Sequence, residues 1–139
     1  MYRALSFQYY READGCLLVY DITRRDSFDE IKNYFCKKIK ENCKKDIKII
    51  LLGNKTDLKN ERKVSTKEGV KLAVENGFTF METSCLENRN VADSFETLIE
   101  LIHEKEIKKE RTKENTSEKQ TITIKETNVS ANSKKRKCC

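Results

Sequence analysis

Apolar residues recur along this chain with two different periods. Cys16, Leu17, Leu18, Val19 and Tyr20 run without a break after the turn-forming pair Asp14-Gly15, and Lys48 leads into Ile49, Ile50, Leu51 and Leu52, which stop at Gly53. Short apolar runs bounded by turn residues predict strands over 16–22 and 48–52, apolar on both faces as buried parallel strands are. Phe28, Ile31, Phe35 and Ile39 recur instead at spacings of three and four, starting within Ser27-Phe28-Asp29-Glu30. That spacing marks one face of a helix, and the Ser-x-x-Glu pattern reads as a capping box, in which two side chains satisfy each other's backbone N–H groups.

The second half repeats the unit. Ser65-Thr66-Lys67-Glu68 is another capping box, Val70, Ala73 and Val74 give the apolar stripe, and Asn76-Gly77 is a helix stop. Residues 78–82 predict a third strand, and Asn90 is placed to cap a last helix carrying Val91, Phe95, Leu98, Ile99 and Ile102. All three helical stripes are expected to face the core. Strands alternating with helices imply a parallel sheet with right-handed crossovers, hence an α/β domain over 1–110 with three strands and three main helices. From Arg111 onward there is no aromatic residue and little apolar content, which predicts a disordered tail over 111–139.

The net charge of +6 suggests an anionic partner until its location is considered. The tail holds eight basic residues against three acidic ones, leaving 21 against 20 for the first 110 residues. The body is nearly neutral and the basicity belongs to the tail. A nucleic-acid role is disfavoured, because no aromatic residues interleave with the basic ones and the body carries no basic face. The longest apolar run, 16–20, is far short of the roughly 20 residues that span a bilayer, and Met1 leads to Arg3, Gln8 and Arg11 without the apolar core of a signal peptide. Six cysteines do not form a disulfide framework here: Cys16 and Cys85 lie in apolar runs, Cys36 and Cys43 flank a helix end, and Cys138 and Cys139 are vicinal. Zinc is unexpected, since there is no Cys-x2-Cys spacing and the single histidine, His103, sits in a helical pattern away from any cysteine.

In open α/β sheets ligands bind beyond the carboxyl ends of the strands. After the second strand stands Gly53-Asn54-Lys55-Thr56-Asp57-Leu58, and after the third stands Glu82-Thr83-Ser84-Cys85-Leu86. Two polar loops on one sheet edge can hold one planar ligand between them. An Asp carboxylate suits guanine, whose N1–H and 2-amino group are adjacent donors, while adenine offers an acceptor at N1. A carboxylate left unpaired by the wrong base costs several kcal/mol, on the order of a buried unmet hydrogen bond.

Asn54-Lys55-Thr56-Asp57 resembles the Asn-Lys-x-Asp guanine motif of the small GTPases, and Glu82-Thr83-Ser84-Cys85 resembles their second base-contacting loop. Tyr9-Tyr10-Arg11, Leu18-Val19-Tyr20-Asp21-Ile22, Asp26-Ser27-Phe28 and the terminal Cys138-Cys139 are together similar to the Rab branch, the vesicle-traffic GTPases. The resemblance runs from Met1 to about Glu110 and implies the C-terminal part of a Ras-like parallel-sheet P-loop fold. It implies that Asp57 reads guanine N1 and N2, that Asn54 braces the loop and approaches the base, and that the Lys55 stem lies along the base plane. Ser84 would support Asp57, and the Cys85 N–H would point at guanine O6. Where the family commonly has Ala and Lys, this chain has Cys85 and Leu86; a backbone contact tolerates the first change, and the second removes a lysine that covers the base. Leu86 with Asn90-Val91 is similar to the recycling-endosome Rabs. Tyr9 and Tyr10 would belong to the nucleotide-sensitive effector surface.

The same comparison shows what these residues lack. A P-loop needs Gly-x4-Gly-Lys-Ser/Thr, and none of Gly15, Gly53, Gly69 and Gly77 precedes a lysine or completes an Asp-x-x-Gly. The family's water-orienting Gln would fall before Met1. The expectation is therefore an N-terminally truncated Rab, read as a fragment with a natural short form as the alternative, holding the base-reading half of a GTP/GDP site with no catalytic residue and no Mg²⁺ ligand. The terminal Cys138-Cys139 differs from Cys-a-a-X and looks like a doubly prenylated Rab terminus. With Lys134, Lys135, Arg136 and Lys137 before it, this implies a lipid anchor on the anionic cytoplasmic face of endosome or Golgi membranes, with the Rab escort protein, its transferase and effectors as partners. The rival reading is a non-catalytic, membrane-anchored interaction module that cannot hold GTP.

Overall fold

The computed structural model describes residues 7–132, with side chains described over 9–115. The chain divides into two units, 1–102 and 103–139. The first is an α/β unit. After the short helix α1 (Phe7–Tyr10) come β1 (Gly15–Asp21), α2 (Arg25–Glu30), a π-helical segment (Ile31–Phe35), α3 (Cys36–Asn42), β2 (Lys48–Asn54), a 3-10 turn (Lys59–Glu61), α4 (Thr66–Asn76), β3 (Thr79–Glu82) and α5 (Val91–Asn132). The sheet has the order β1-β2-β3 with both pairings parallel, Leu18 facing Leu51 and Leu51 facing Phe80. This is the predicted fold class, with α2 to α3 forming one helical stretch.

The core lies where Leu18, Tyr20 and Leu51 meet Phe28, Ile31 and Leu72. Tyr20 packs edge-to-face on Phe28 with ring centroids 5.0 Å apart. Predicted burial on both faces of the first strand is corrected at Val19, which is 54% exposed. Leu18 and Tyr20, which alternate with Val19 and so point to the other face of β1, are buried in the core.

The capping boxes divide. Ser65 accepts from the Glu68 N–H at 3.2 Å while Glu68 accepts from the Ser65 N–H at 3.0 Å, and Gly77 ends α4 in the left-handed region at φ 71°. Ser27, by contrast, is not a cap. The helix begins earlier, at Arg25, and the Ser27 hydroxyl donates to Arg24 O at 2.7 Å and accepts from the Asp21 N–H at 3.1 Å. Ser27 thereby fastens the helix start to the end of β1.

Two stripes are also corrected. α4 buries Gly69, Leu72 and Ala73, and leaves Val70 and Val74 exposed. Gly69 is the reason: a Cβ there would stand 2.4 Å from Phe80 and 2.6 Å from the Tyr20 hydroxyl, so the helix presses its bare backbone against the core. On residues 91–102 of α5 the buried position is Ser94, with Val91 and Leu98 half-buried, while Phe95 and Ile99 are exposed. Ser94 returns its hydroxyl to Val91 O at 2.7 Å and so can be buried without an unmet polar group.

In the second unit the helix continues to Asn132, where the sequence predicts disorder from Arg111. The segment contains no Gly or Pro, and it places opposite charges one turn apart, as in Glu106–Lys109 at 3.4 Å, which favours local helix whether or not a core forms. Cys138 and Cys139 lie outside the described residues.

Candidate functional site

The parallel register β1-β2-β3 brings three strand ends to one edge of the sheet. Asp21 faces Asn54, and Gly53 faces Glu82. From this edge the loop 54–58 leaves β2 and the loop 83–90 leaves β3.

A dense set of hydrogen bonds joins the two loops. The Thr83 N–H donates to Gly53 O at 2.9 Å and the Thr56 N–H donates to Thr83 O at 3.2 Å, extending the sheet pairing one step past β3. Asn54 Oδ1 accepts from Thr83 Oγ1 at 3.2 Å and from the Cys85 N–H at 3.3 Å. Ser84 Oγ donates to Asp57 Oδ1 at 2.6 Å. Ser84 and Thr83 are buried, while Cys85 and Leu86 are exposed, Leu86 at 83%. The structure thus brings Asn54, Asp57, Ser84 and Cys85 together, with Leu86 at the open tip of the second loop.

Lys55 takes a different direction. Its φ of 70° turns the loop sharply, and its Nζ pairs with Asp21 Oδ2 at 2.7 Å. Asp21 also accepts from the Thr23 N–H and hydroxyl at 2.9 and 2.7 Å. Burial pushes the Asp21 carboxyl upward, but the hydrogen bonds from Lys55 and Thr23 outweigh it and hold the group below the usual carboxylate range. The Lys55 ammonium is thereby anchored to the end of β1, which fixes the stem between Asn54 and Asp57.

Tyr9 and Tyr10 are not part of this cluster. Tyr9 is 79% exposed, and Tyr10 lines an apolar cavity of about 210 Å³ with Cys16, Phe35, Ile39 and Cys43. Among the described residues, no group of three or more metal-ligating side chains comes together, and no helix is long and apolar enough to cross a membrane.

Sequence reasoning missed Thr56 and Arg89. Thr56 is buried, its hydroxyl donates to Thr83 O at 3.0 Å, and it accepts from Arg89 Nη2 at 2.8 Å. Thr56 occupies the unspecified position of Asn-Lys-x-Asp, so the motif itself carries no signal there. Arg89 sits in an irregular loop with no periodicity to place it.

Parallel sheets of this kind bind ligands beyond the carboxyl ends of their strands, where the two interlocked polar loops stand. The family model described as "Ras family" matches residues 1–104. Curated relatives include the Ras-related protein RABA2a of Arabidopsis thaliana, 37% identical over 99% of this chain and 65% of that protein. Rab2BV of Beta vulgaris is 39% identical over the same shares, and human Rab-8B is 44% identical over 70% of this chain and 46% of its own length. The chain belongs to the Ras family of small GTPases and within it is of the Rab type. It spans about two-thirds or less of the length of these relatives.

Proposed function

We propose that this chain is a Rab-type GTP-binding protein of vesicle traffic and that the two interlocked loops are its guanine-reading site. The observation that carries the reading is the Ser84–Asp57 hydrogen bond, which holds one carboxylate oxygen in place at the sheet edge. Asp57 accepts from guanine N1–H and the 2-amino group. Asn54 braces both loops, Lys55 and Leu86 flank the base plane, and the Cys85 N–H, only loosely held by Asn54, turns to guanine O6.

The ligand of the whole protein is GTP or GDP with Mg²⁺. Among the described residues no three His, Cys, Asp or Glu side chains come together, and none of them is proposed as a ligand of that metal. The absence of a Gly-x4-Gly-Lys-Ser/Thr motif from these 139 residues favours a second reading for the chain by itself, an interaction module that cannot hold GTP.

Residues 1–110 form the GTPase body in this proposal, and 111–139 the tether. Cys138 and Cys139 carry isoprenoid chains, Lys134 to Lys137 rest on the anionic cytoplasmic face of endosome or Golgi membranes, and Tyr9 and Tyr10 contribute to the effector surface. Leu86 with Asn90-Val91 points to the recycling-endosome branch. The escort protein and transferase that attach the lipids, and the effectors, are the protein partners; nucleic acid is not one.

The Asp57→Asn variant tests the site. An amide can donate to the 2-oxo group of xanthine where a carboxylate can only accept. By NMR titration the native chain is expected to bind GMP over XMP, in the weak range left without phosphate contacts, and the variant to reverse that order. A variant that keeps the native preference would overturn the assignment of Asp57.

A further inference from the structure

The loop 84–89 closes on itself. The Ser84 N–H donates to Arg89 O at 3.1 Å and the Arg89 N–H to Ser84 O at 2.9 Å, so the four residues between them form a small hairpin. The Glu87 N–H, which donates to Ser84 Oγ at 3.1 Å, braces it from inside. The Cys85 N–H and the exposed Leu86 both belong to this hairpin, so its tilt decides where they stand relative to Asp57.

At its entering strand the hairpin is held by Asn54 and by the Ser84–Asp57 bond. Just past its returning strand, Asn90 Nδ2 donates to Glu82 O at 2.9 Å, which ties that side to β3 but not to the loop that carries Asp57. Arg89, on the returning strand, reaches across to the other loop: its Nη2 donates to Thr56 Oγ1 at 2.8 Å and pairs with Glu87 Oε2 at 3.0 Å. Thr56 is itself fixed, since its N–H and its hydroxyl both donate to Thr83 O. The guanidinium therefore spans from the returning strand of one loop to a buried point of the other.

Resting on the guanine reading above, we propose that Arg89 is a positioning residue for base specificity, acting through Thr56 to hold the Ser84–Arg89 hairpin at a fixed tilt over Asp57. Arg89 touches no part of the base. Its effect is on how well the carboxylate's two hydrogen bonds and the Cys85 N–H can be made together, so it governs discrimination between bases more than gross affinity.

IMP lacks the 2-amino group and reports the loss of one of those hydrogen bonds. The ratio of GMP to IMP affinity is the deciding readout, because any loss of folded protein scales both affinities equally and cancels. The full chain is titrated with each nucleotide by NMR as native, Arg89→Ala and Arg89→Lys, with amide exchange followed at Thr56 and Ser84. The native chain is expected to favour GMP by about tenfold, a typical value for one hydrogen bond in a braced site, and Arg89→Ala to lose most of that ratio while exchanging faster at Ser84. Both side-chain bonds leave from one nitrogen, so a lysine ammonium can supply them, and Arg89→Lys is expected to restore the ratio at least in part. An unchanged GMP/IMP ratio in Arg89→Ala, with a native chain that does discriminate, overturns the role of Arg89. A native chain that binds GMP, IMP and AMP alike overturns the guanine reading itself, and unchanged exchange at Ser84 and Thr56 in Arg89→Ala then shows that the brace is absent as well.

Discussion

Ser84 Oγ lies 2.6 Å from Asp57 Oδ1, joining residues 27 positions apart across the two loops that leave β2 and β3. A bond that short to a carboxylate is charge-assisted and directional, and it leaves the second oxygen of Asp57 and the remaining lone pairs for a ligand. Ser84→Ala is expected to leave the fold intact and to weaken GMP binding by about five- to tenfold, the usual cost of one such bond. NMR titration of the variant against the native chain checks this, and equal affinities would show that the pair does not set the site.

The Tyr20 hydroxyl is buried between β2 and α4 with no hydrogen-bond partner among the described residues, close to the backbone of Gly53 and Gly69. Removing an unmet polar group costs little, so Tyr20→Phe is expected to keep or raise the melting temperature. Gly69→Ala is expected to lower stability by about 1–3 kcal/mol, because its Cβ would overlap both Phe80 and Tyr20. Thermal unfolding of the two variants should move in opposite directions or, at the least, separate clearly.

Arg25 links α2 to α4 through Glu68. Its guanidinium, followed by the Ser65 N–H, holds the Glu68 carboxyl down at about 2, below its ordinary 4.5. A carboxyl lowered on folding binds fewer protons folded than unfolded, so its contribution is complete above about pH 4.5 and is lost as pH falls towards about 2. Urea unfolding across that window is expected to show the native chain losing more stability than Glu68→Gln does. Parallel pH profiles for the two would contradict the linkage.

The thiols differ in reactivity by their surroundings. Burial, reinforced by the neighbouring Cys43, pushes the Cys16 thiol up to about 11, while Cys85 is exposed at the loop tip. The thiolate is the reactive form, so iodoacetamide near pH 7.5 is expected to label Cys85 before Cys16. Peptide mass spectrometry over a time course reads the order, and early labelling of Cys16 would show that β1 opens readily.

Cys138 and Cys139 are expected to carry two isoprenoid groups in native cells, because one chain anchors only marginally and stable attachment needs two signals. Mass spectrometry of the C-terminal peptide decides between two additions and free thiols. Free thiols on protein that stays on membranes would remove the anchor from the proposal.

The strands and the α/β order could be read from the sequence because aliphatic runs such as Ile49 to Leu52 have no other reading at that length. The Ser65 cap was legible for the same local reason. What the sequence hid was decided across elements. The inward face of α4 centres on Gly69, which has no side chain to signal burial, and Ser27 was drawn from its expected cap into a bond with the end of β1. At the site, Asn54, Asp57 and Ser84 belong to motifs and could be placed, whereas Thr56 and Arg89 meet only through the fold.

The central claim, that the loops after β2 and β3 read guanine, is tested most directly by mapping backbone amide shifts of the native chain with GMP and, separately, with AMP. GMP is expected to shift Asn54, Asp57, Ser84 and Cys85 together, saturating at millimolar concentration, and AMP to leave them in place. Equal shifts with both nucleotides, or shifts that avoid these four residues, would contradict it.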